Sequence, residues 1–244
     1  MRDPGDAGGF DCLAVIGVGL IGGSFALAAR RRGVARRVVA AARKAETLAI
    51  ALDRGIADEV TDDPAQAAAQ ADLVYIAAPV RATESILQAI APVVRPDALV
   101  TDAGSTKRDV VAAIHRHLGP HLAQVVPAHP IAGAENSGVE AAFADLYSGR
   151  KVVLTPLAQS SPEAVERVRA AWQACGATVV DMTPEALRRR LAHGNVYPAD
   201  RIDAAMSNYF RPGNLAALRE LALLWVADRV EDQLQEYLLS LLHI

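Results

Sequence analysis

Three groups of residues have types and spacings suited to chemistry. The first is Gly17-Val18-Gly19-Leu20-Ile21-Gly22, a G-x-G-x-x-G run that follows the apolar stretch Leu13–Ile16 and opens an Ala-rich segment. In that order Gly17 makes the sharp turn after a strand. Gly19 lets backbone come close to a pyrophosphate, and Gly22 lets the helix pack on the sheet. The N–H groups of Leu20, Ile21 and Gly22 then face the phosphates. The second group is Asp102-Ala103-Gly104-Ser105-Thr106-Lys107, at a strand end running into a helix start. Ser105 either caps that helix or offers its hydroxyl, with nearby N–H groups, to a substrate. The third is His129, fixed by Pro130 and followed by a polar loop containing Gly133 and Gly138. A histidine there is either a structural residue or a general base, since its ordinary pKa lies near working pH.

These residues need elements that bring them together. Strands are expected at Cys12–Ile16, Arg37–Ala42, Ala57–Thr61, Asp72–Ala78, Ala98–Thr101, Gln124–Pro127, Lys151–Thr155 and Ala177–Asp181. Helices are expected at Ile21–Arg32, Ala45–Arg54, Ala82–Val94, Lys107–Leu118 and Ser161–Ala174, with a small one capped by Asp62-Asp63-Pro64. Strand-helix alternation with short apolar strands predicts an α/β fold, a doubly wound, mostly parallel Rossmann-type sheet. Ligands bind such sheets at the carboxyl ends of the strands. Gly17–Gly22, Arg43, Pro79, Gly104, Ser105 and His129 all fall at or just past those ends, so one cleft is expected to collect them.

The end of the second strand selects the dinucleotide. An acidic residue there binds the ribose hydroxyls of NAD. Here Ala40-Ala41-Ala42 leads into Arg43-Lys44. Two cations beside the ribose suit a 2′-phosphate, which favours NADP over NAD; the alternative is a solvated pair at a helix start.

Composition excludes several classes. The net charge of -3 is spread along the chain, so no nucleic-acid footprint exists. No stretch is long and apolar enough for a membrane span. Residues 1–10 lack the apolar core of a signal peptide and read as a flexible lead-in. Cys12 and Cys175 are expected to be buried, reduced thiols, which fits a cytoplasmic protein. His115, His117 and His121 lack acidic partners at metal-ligand spacing and read as an exposed helix face.

Together, G-V-G-L-I-G-G-S, D-A-G-S-T-K, A-H-P-I-A-G-A-E-N-S-G and D-L-Y-S-G-R-K-V-V-L-T-P resemble the nucleotide-binding domain of prephenate and arogenate dehydrogenases over residues 11–182. The resemblance implies oxidative decarboxylation of prephenate or arogenate in tyrosine biosynthesis. It implies that His129 is the catalytic histidine and Ser105 the serine that hydrogen-bonds the reacting hydroxyl. The missing acid after the second strand departs from NAD-using members. More distant Rossmann relatives, such as β-hydroxyacid dehydrogenases, place a catalytic lysine on a following helical domain, and the tail offers no clear equivalent.

Residues 183–244 form a helical tail that does not follow that family. Residues 183–230 resemble the end of the soluble amino-terminal region of osmosensitive potassium-channel sensor kinases, without any G-x-x-x-x-G-K-[ST] loop. The chain thus reads as a chimera joined near Val180–Glu185. A helix from Leu215 to about Leu242 carries a broad apolar stripe suited to core packing or a homodimer. Arg188-Arg189-Arg190 is either a solvated helix face or an anion site. The alternative to an enzyme is a dinucleotide-binding module that lacks the family's substrate and dimerisation domain.

Overall fold

The computed structural model describes residues 9–134 and 136–187. The chain divides into two compact units, Met1–Glu185 and Ala186–Ile244. The expectations for Arg188–Arg190, for the Leu215–Leu242 stripe and for residues 1–8 of the lead-in lie outside the described residues.

Strands β1 (Phe10–Ile16), β2 (Ala35–Ala41), β3 (Glu59–Thr61), β4 (Leu73–Ile76) and β5 (Leu99–Asp102) form one parallel sheet in the order β3-β2-β1-β4-β5. Helices α1 (Leu20–Arg31), α2 (Ala45–Asp53), α3 (Pro64–Ala69), α4 (Val80–Ile90) and α5 (Lys107–His117) connect them. A 3-10 turn at Gly119–Gln124 leads to β6 (Ala128–Ile131), β7 (Lys151–Leu154), α6 (Pro162–Ala174) and β8 (Thr178–Asp181). These last strands form a second sheet, β6-β7-β8, with β6 antiparallel to β7. A parallel bridge from Val100 to Val125 and a Val126 N–H bond to Val100 O (2.9 Å) tie the second sheet to β5.

Both faces of the first sheet are covered, which explains why its strands read as apolar runs without alternation. Leu13 and Val15 pack among residues of α1, α2 and α6 on one face. Cys12, Ala14 and Ile16 pack among residues of α3, α4 and α5 on the other. The element ends follow local chemistry. Asp63 accepts from Ala65 N at 2.8 Å and Ser161 from Ala164 N at 3.1 Å, each capping a helix with proline in its first turn. Both cysteines are buried and free.

One aromatic cluster joins the two halves of this unit. Trp172 of α6 lies 4.5 Å from Phe25 of α1, 5.5 Å from Tyr75 of β4 and 5.0 Å from Tyr147, between ring centroids. Trp172 is fully buried. Trp172→Ala is expected to cost about 3–5 kcal/mol of stability, the range for losing a large buried aromatic. Denaturant unfolding of the variant checks this.

Two local expectations are corrected. The strand expected at Gln124–Pro127 is instead the end of the 3-10 turn and a single bridge, and the strand proper is Ala128–Ile131. His129 therefore sits inside β6 and does not follow a strand end. The cause is pairing: Ala128–Ile131 find partners in Leu154–Lys151, far along the chain. Pro130 is tolerated because β6 lies at the edge of its sheet. The α5 cap is Thr106, not Ser105, and its side chain makes no capping bond.

Candidate active site

The carboxyl edge of the first sheet is aligned by backbone bonds that run one residue past each strand. Gly17 N donates to Ala41 O (2.8 Å), Ala77 N to Ile16 O (2.8 Å) and Ala103 N to Ile76 O (2.9 Å). The turns beginning at Gly17, Ala42, Ala77 and Ala103 therefore share one edge, as the sequence predicts. Pro79 is exposed at the start of α4.

Two glycines of the first turn are held by the packing around them. Gly17 has φ +98°, and a Cβ there would stand 2.6 Å from Ala78 N and 2.7 Å from Ala77 C. At Gly22 a Cβ would stand 2.2 Å from Gly17 O and 2.9 Å from Val15 Cγ1. Gly19 is different, because a Cβ there would meet no protein atom within 4 Å. Its φ of -94° is also ordinary for any residue. Nothing within the protein demands glycine at this position, which leaves open space above the turn. The first turn of α1 holds no acidic residue, and no side chain caps it. An open, uncapped helix start beside a bare glycine fits a pyrophosphate.

Past β2, Arg43 and Lys44 are both exposed, and Lys44 is the residue before α2. None of the residues from Ala40 to Lys44 is acidic.

The opposite side of the edge is built around Asp102 and His129. Asp102 ends β5 and is 3% exposed, and Lys107 opens α5 at 2%. Lys107 Nζ donates to Asp102 Oδ2 at 2.5 Å. Gly104 N also donates to Oδ2 (2.7 Å), and Ala128 N donates to Oδ1 (3.2 Å). The Gly104 N–H is thus engaged within the protein. A side chain on Gly104 would crowd Val110 and the Asp102 carboxylate. Ser105 is exposed on the adjoining bend.

His129 is half-buried, and its Nδ1 lies 3.1 Å from Ala103 O. A carbonyl oxygen only accepts, so Nδ1 carries the proton and Nε2 keeps a lone pair. Burial pulls the imidazole down to about 4, and the Lys107 charge acts in the same direction. The Ala103 carbonyl and Asp102 act against it. The ring is therefore a neutral base at physiological pH.

Sequence reasoning missed four long-range hydrogen bonds that hold the segment after His129 onto α1 and the end of α2. Arg54 donates to Val139 O (2.5 Å) and Ala142 O (2.8 Å). Phe143 N donates to Ser24 Oγ (3.0 Å), and Tyr147 Oη to Ile21 O (2.6 Å). No local signal marks them, because the partners are up to 126 residues apart. Among the described residues, His117 and Arg116 share Glu84, and no group of three or more His, Cys, Asp or Glu side chains could hold a metal.

Residues 25–181 match the family described as prephenate dehydrogenase, nucleotide-binding domain. The chain belongs to the prephenate dehydrogenase family. The cyclohexadienyl dehydrogenase of Zymomonas mobilis is 36% identical over 178 residues, which are 72% of this chain and 59% of that protein. The solved prephenate dehydrogenase of Aquifex aeolicus, in complex with hydroxyphenyl propionate and NAD+, is 28% identical with a TM-score of 0.70. That match covers 96% of this chain and 88% of the other. The chain spans less than two thirds of the length of the curated dehydrogenases it matches.

A second likeness overlaps the first. Residues 162–230 match the osmosensitive K+ channel His kinase sensor domain. The sensor protein KdpD of Mycobacterium tuberculosis is 63% identical over 76 residues, 31% of this chain and 8% of that protein. The match begins at residue 162, earlier than the expected 183, and so takes in α6 and β8. The chimeric reading of the sequence is consistent with both likenesses.

Among the described residues no helix is long and apolar enough to cross a membrane.

Proposed function

We propose that this chain is a prephenate or arogenate dehydrogenase of tyrosine biosynthesis that uses NADP in preference to NAD. The observation that carries the reading is the His129–Ala103 bond. It fixes a neutral base with a free Nε2 on the same sheet edge as the open Gly19 turn. In this reading residues 11–182 are the dinucleotide-binding domain and 183–244 a helical tail through which two chains pair, in the cytoplasm.

When bound, the nicotinamide supplies the acceptor for the hydride that leaves the hydroxyl-bearing ring carbon. His129 Nε2 takes the hydroxyl proton as that carbon is oxidised, and loss of carbon dioxide aromatises the ring. The Ser105 hydroxyl donates to the reacting oxygen and orients it. Gly17, Gly19, Leu20, Ile21 and Gly22 hold the pyrophosphate at the α1 start. Pro79 and Gly104, at the next two strand ends, would complete the dinucleotide site. Arg43 and Lys44 pair with the 2′-phosphate.

Nicotinamide reduction by the full chain, with prephenate and with arogenate and with each dinucleotide, tests the proposal. Turnover with either substrate supports it, and greater kcat/KM with NADP supports the cofactor assignment. Saturable binding of reduced cofactor without turnover would replace it with the reading of a binding module.

Arg43→Ala is expected to weaken NADPH binding tenfold or more, given roughly 1.5–3 kcal/mol for a hydrogen bond to a charged group. NADH binding should stay as it is. Fluorescence titration of both reduced dinucleotides measures the contrast. An equal loss for both would remove the 2′-phosphate from the account.

A further inference from the structure

The buried Asp102–Lys107 pair has no part in the chemistry above. Removing two charges from water offsets most of their attraction, so such pairs are weak stabilisers of a core. Its surroundings point to a different role. Besides the lysine, the Asp102 carboxylate holds two backbone N–H groups, Gly104 through Oδ2 and Ala128 through Oδ1. These flank both ends of the contact that holds the His129 ring. Ala103, whose carbonyl accepts from Nδ1, lies between Asp102 and Gly104. Ala128 immediately precedes His129. One carboxylate therefore fixes both the chain that bears the acceptor and the chain that bears the ring. Lys107 anchors that carboxylate from the first residue of α5.

We propose that the Asp102–Lys107 pair is the positioning device of His129, holding the Ala103 carbonyl and the His129 backbone in one arrangement so that the ring keeps its proton on Nδ1 and leaves Nε2 open. Asp102 and Lys107 are positioning residues; neither touches substrate in this scheme. The inference rests on the reading of His129 as the base, but the ring's tautomer is measurable without turnover. Among the described residues, Lys107 and Asp102 are the charged groups that act on the ring. From β7 the residue opposite His129 is Val153, which carries no charge. The directions agree with the geometry: burial and Lys107 disfavour the protonated ring, while the Ala103 carbonyl and Asp102 oppose them.

The test is the ¹⁵N NMR spectrum of His129 across pH in the full chain without ligand. The parent, Lys107→Met, Lys107→Arg and the double variant Asp102→Asn/Lys107→Met are compared. The parent is expected to show the Nδ1–H tautomer alone. Lys107→Met should raise the midpoint of the ring by about one pH unit, the lower range for a neighbouring charge, and mix the tautomers. Lys107→Arg should retain the parent tautomer. The double variant leaves no unpaired buried charge, so it carries the test if Lys107→Met does not fold. It too should lose the single tautomer. A folded Lys107→Met or double variant with the parent's midpoint and tautomer would overturn the device. Dehydrogenase assays on the same samples separate the two readings. A parent without turnover whose tautomer still depends on Lys107 leaves the device standing and removes the function. A parent that turns over, with variants unchanged in tautomer and midpoint, does the reverse.

Discussion

His129→Ala is expected to lower kcat by about a thousandfold, within the roughly 10²–10⁴ that a positioned general base contributes. Binding of the reduced dinucleotide should be unchanged, because the nucleotide turn lies on β1 and α1 and shares no side chain with the ring. The backbone of β6 should keep its place. Its pairing with β7, His129 opposite Val153, runs through main-chain groups that alanine retains. The pH profile gives a second readout. The imidazole of the folded chain titrates at about 4, against an ordinary value of 6.5. As pH falls through 4 the ring takes a proton and the base is lost, so kcat/KM of the parent should hold from neutrality to about pH 5 and then drop. Stability has the same sign. Between pH 6.5 and about 4 the unfolded chain binds the proton more readily, so the contribution of His129 is present above 6.5 and lost as pH falls toward 4. Stopped assays of kcat with a parallel nicotinamide titration decide the matter. Turnover within tenfold of the parent would place the base elsewhere.

Gly19→Ala is expected to abolish useful dinucleotide binding in a chain that folds as before. A methyl group there meets no protein atom within 4 Å and requires no unusual backbone. It would instead fill the space through which backbone N–H groups reach a pyrophosphate. Loss of one or two such bonds to a charged group, roughly 1.5–3 kcal/mol each, lowers affinity by roughly tenfold to ten-thousandfold. Gly17→Ala should behave in the opposite way. Its φ of +98° and the 2.6 Å approach to Ala78 N make the damage structural. Strain and overpacking together should cost about 2–5 kcal/mol of stability. Calorimetric melting and nicotinamide titration of both variants separate the roles. If Gly19→Ala melts early, or binds as the parent does, the close-approach argument fails at that position.

The sequence carried most of the frame. Gly17 and Gly22 were legible because each does a local job within a strand-turn-helix, and spacing alone encodes that. Asp63 was legible as part of a cap because a cap bonds within its own first turn, and Ser161 stood at the expected helix start. The likeness to prephenate dehydrogenases was carried by motifs spread over residues 17–156, and the family match over residues 25–181 agrees with it.

Less legible was the working geometry of the histidine. The stretch Gln124–Ile131 has two short apolar candidates for one strand, and only the distant β7 selects Ala128–Ile131. Asp102 and Lys107 lie five residues apart, but nothing in that spacing says that both are buried and joined. The closing contacts of Arg54, Ser24 and Ile21 with residues 139–147 likewise have no local signature.

What the sequence by itself determined is the set of local elements and the chemistry each strand end offers, since periodicity, glycine placement and capping act within a few residues. What only the tertiary structure decided is which nitrogen of His129 bears the proton, and the buried charge pair beneath it. Those follow from packing β6 against the end of β5, where one carbonyl and one carboxylate, excluded from water, leave the ring a single way to satisfy its N–H.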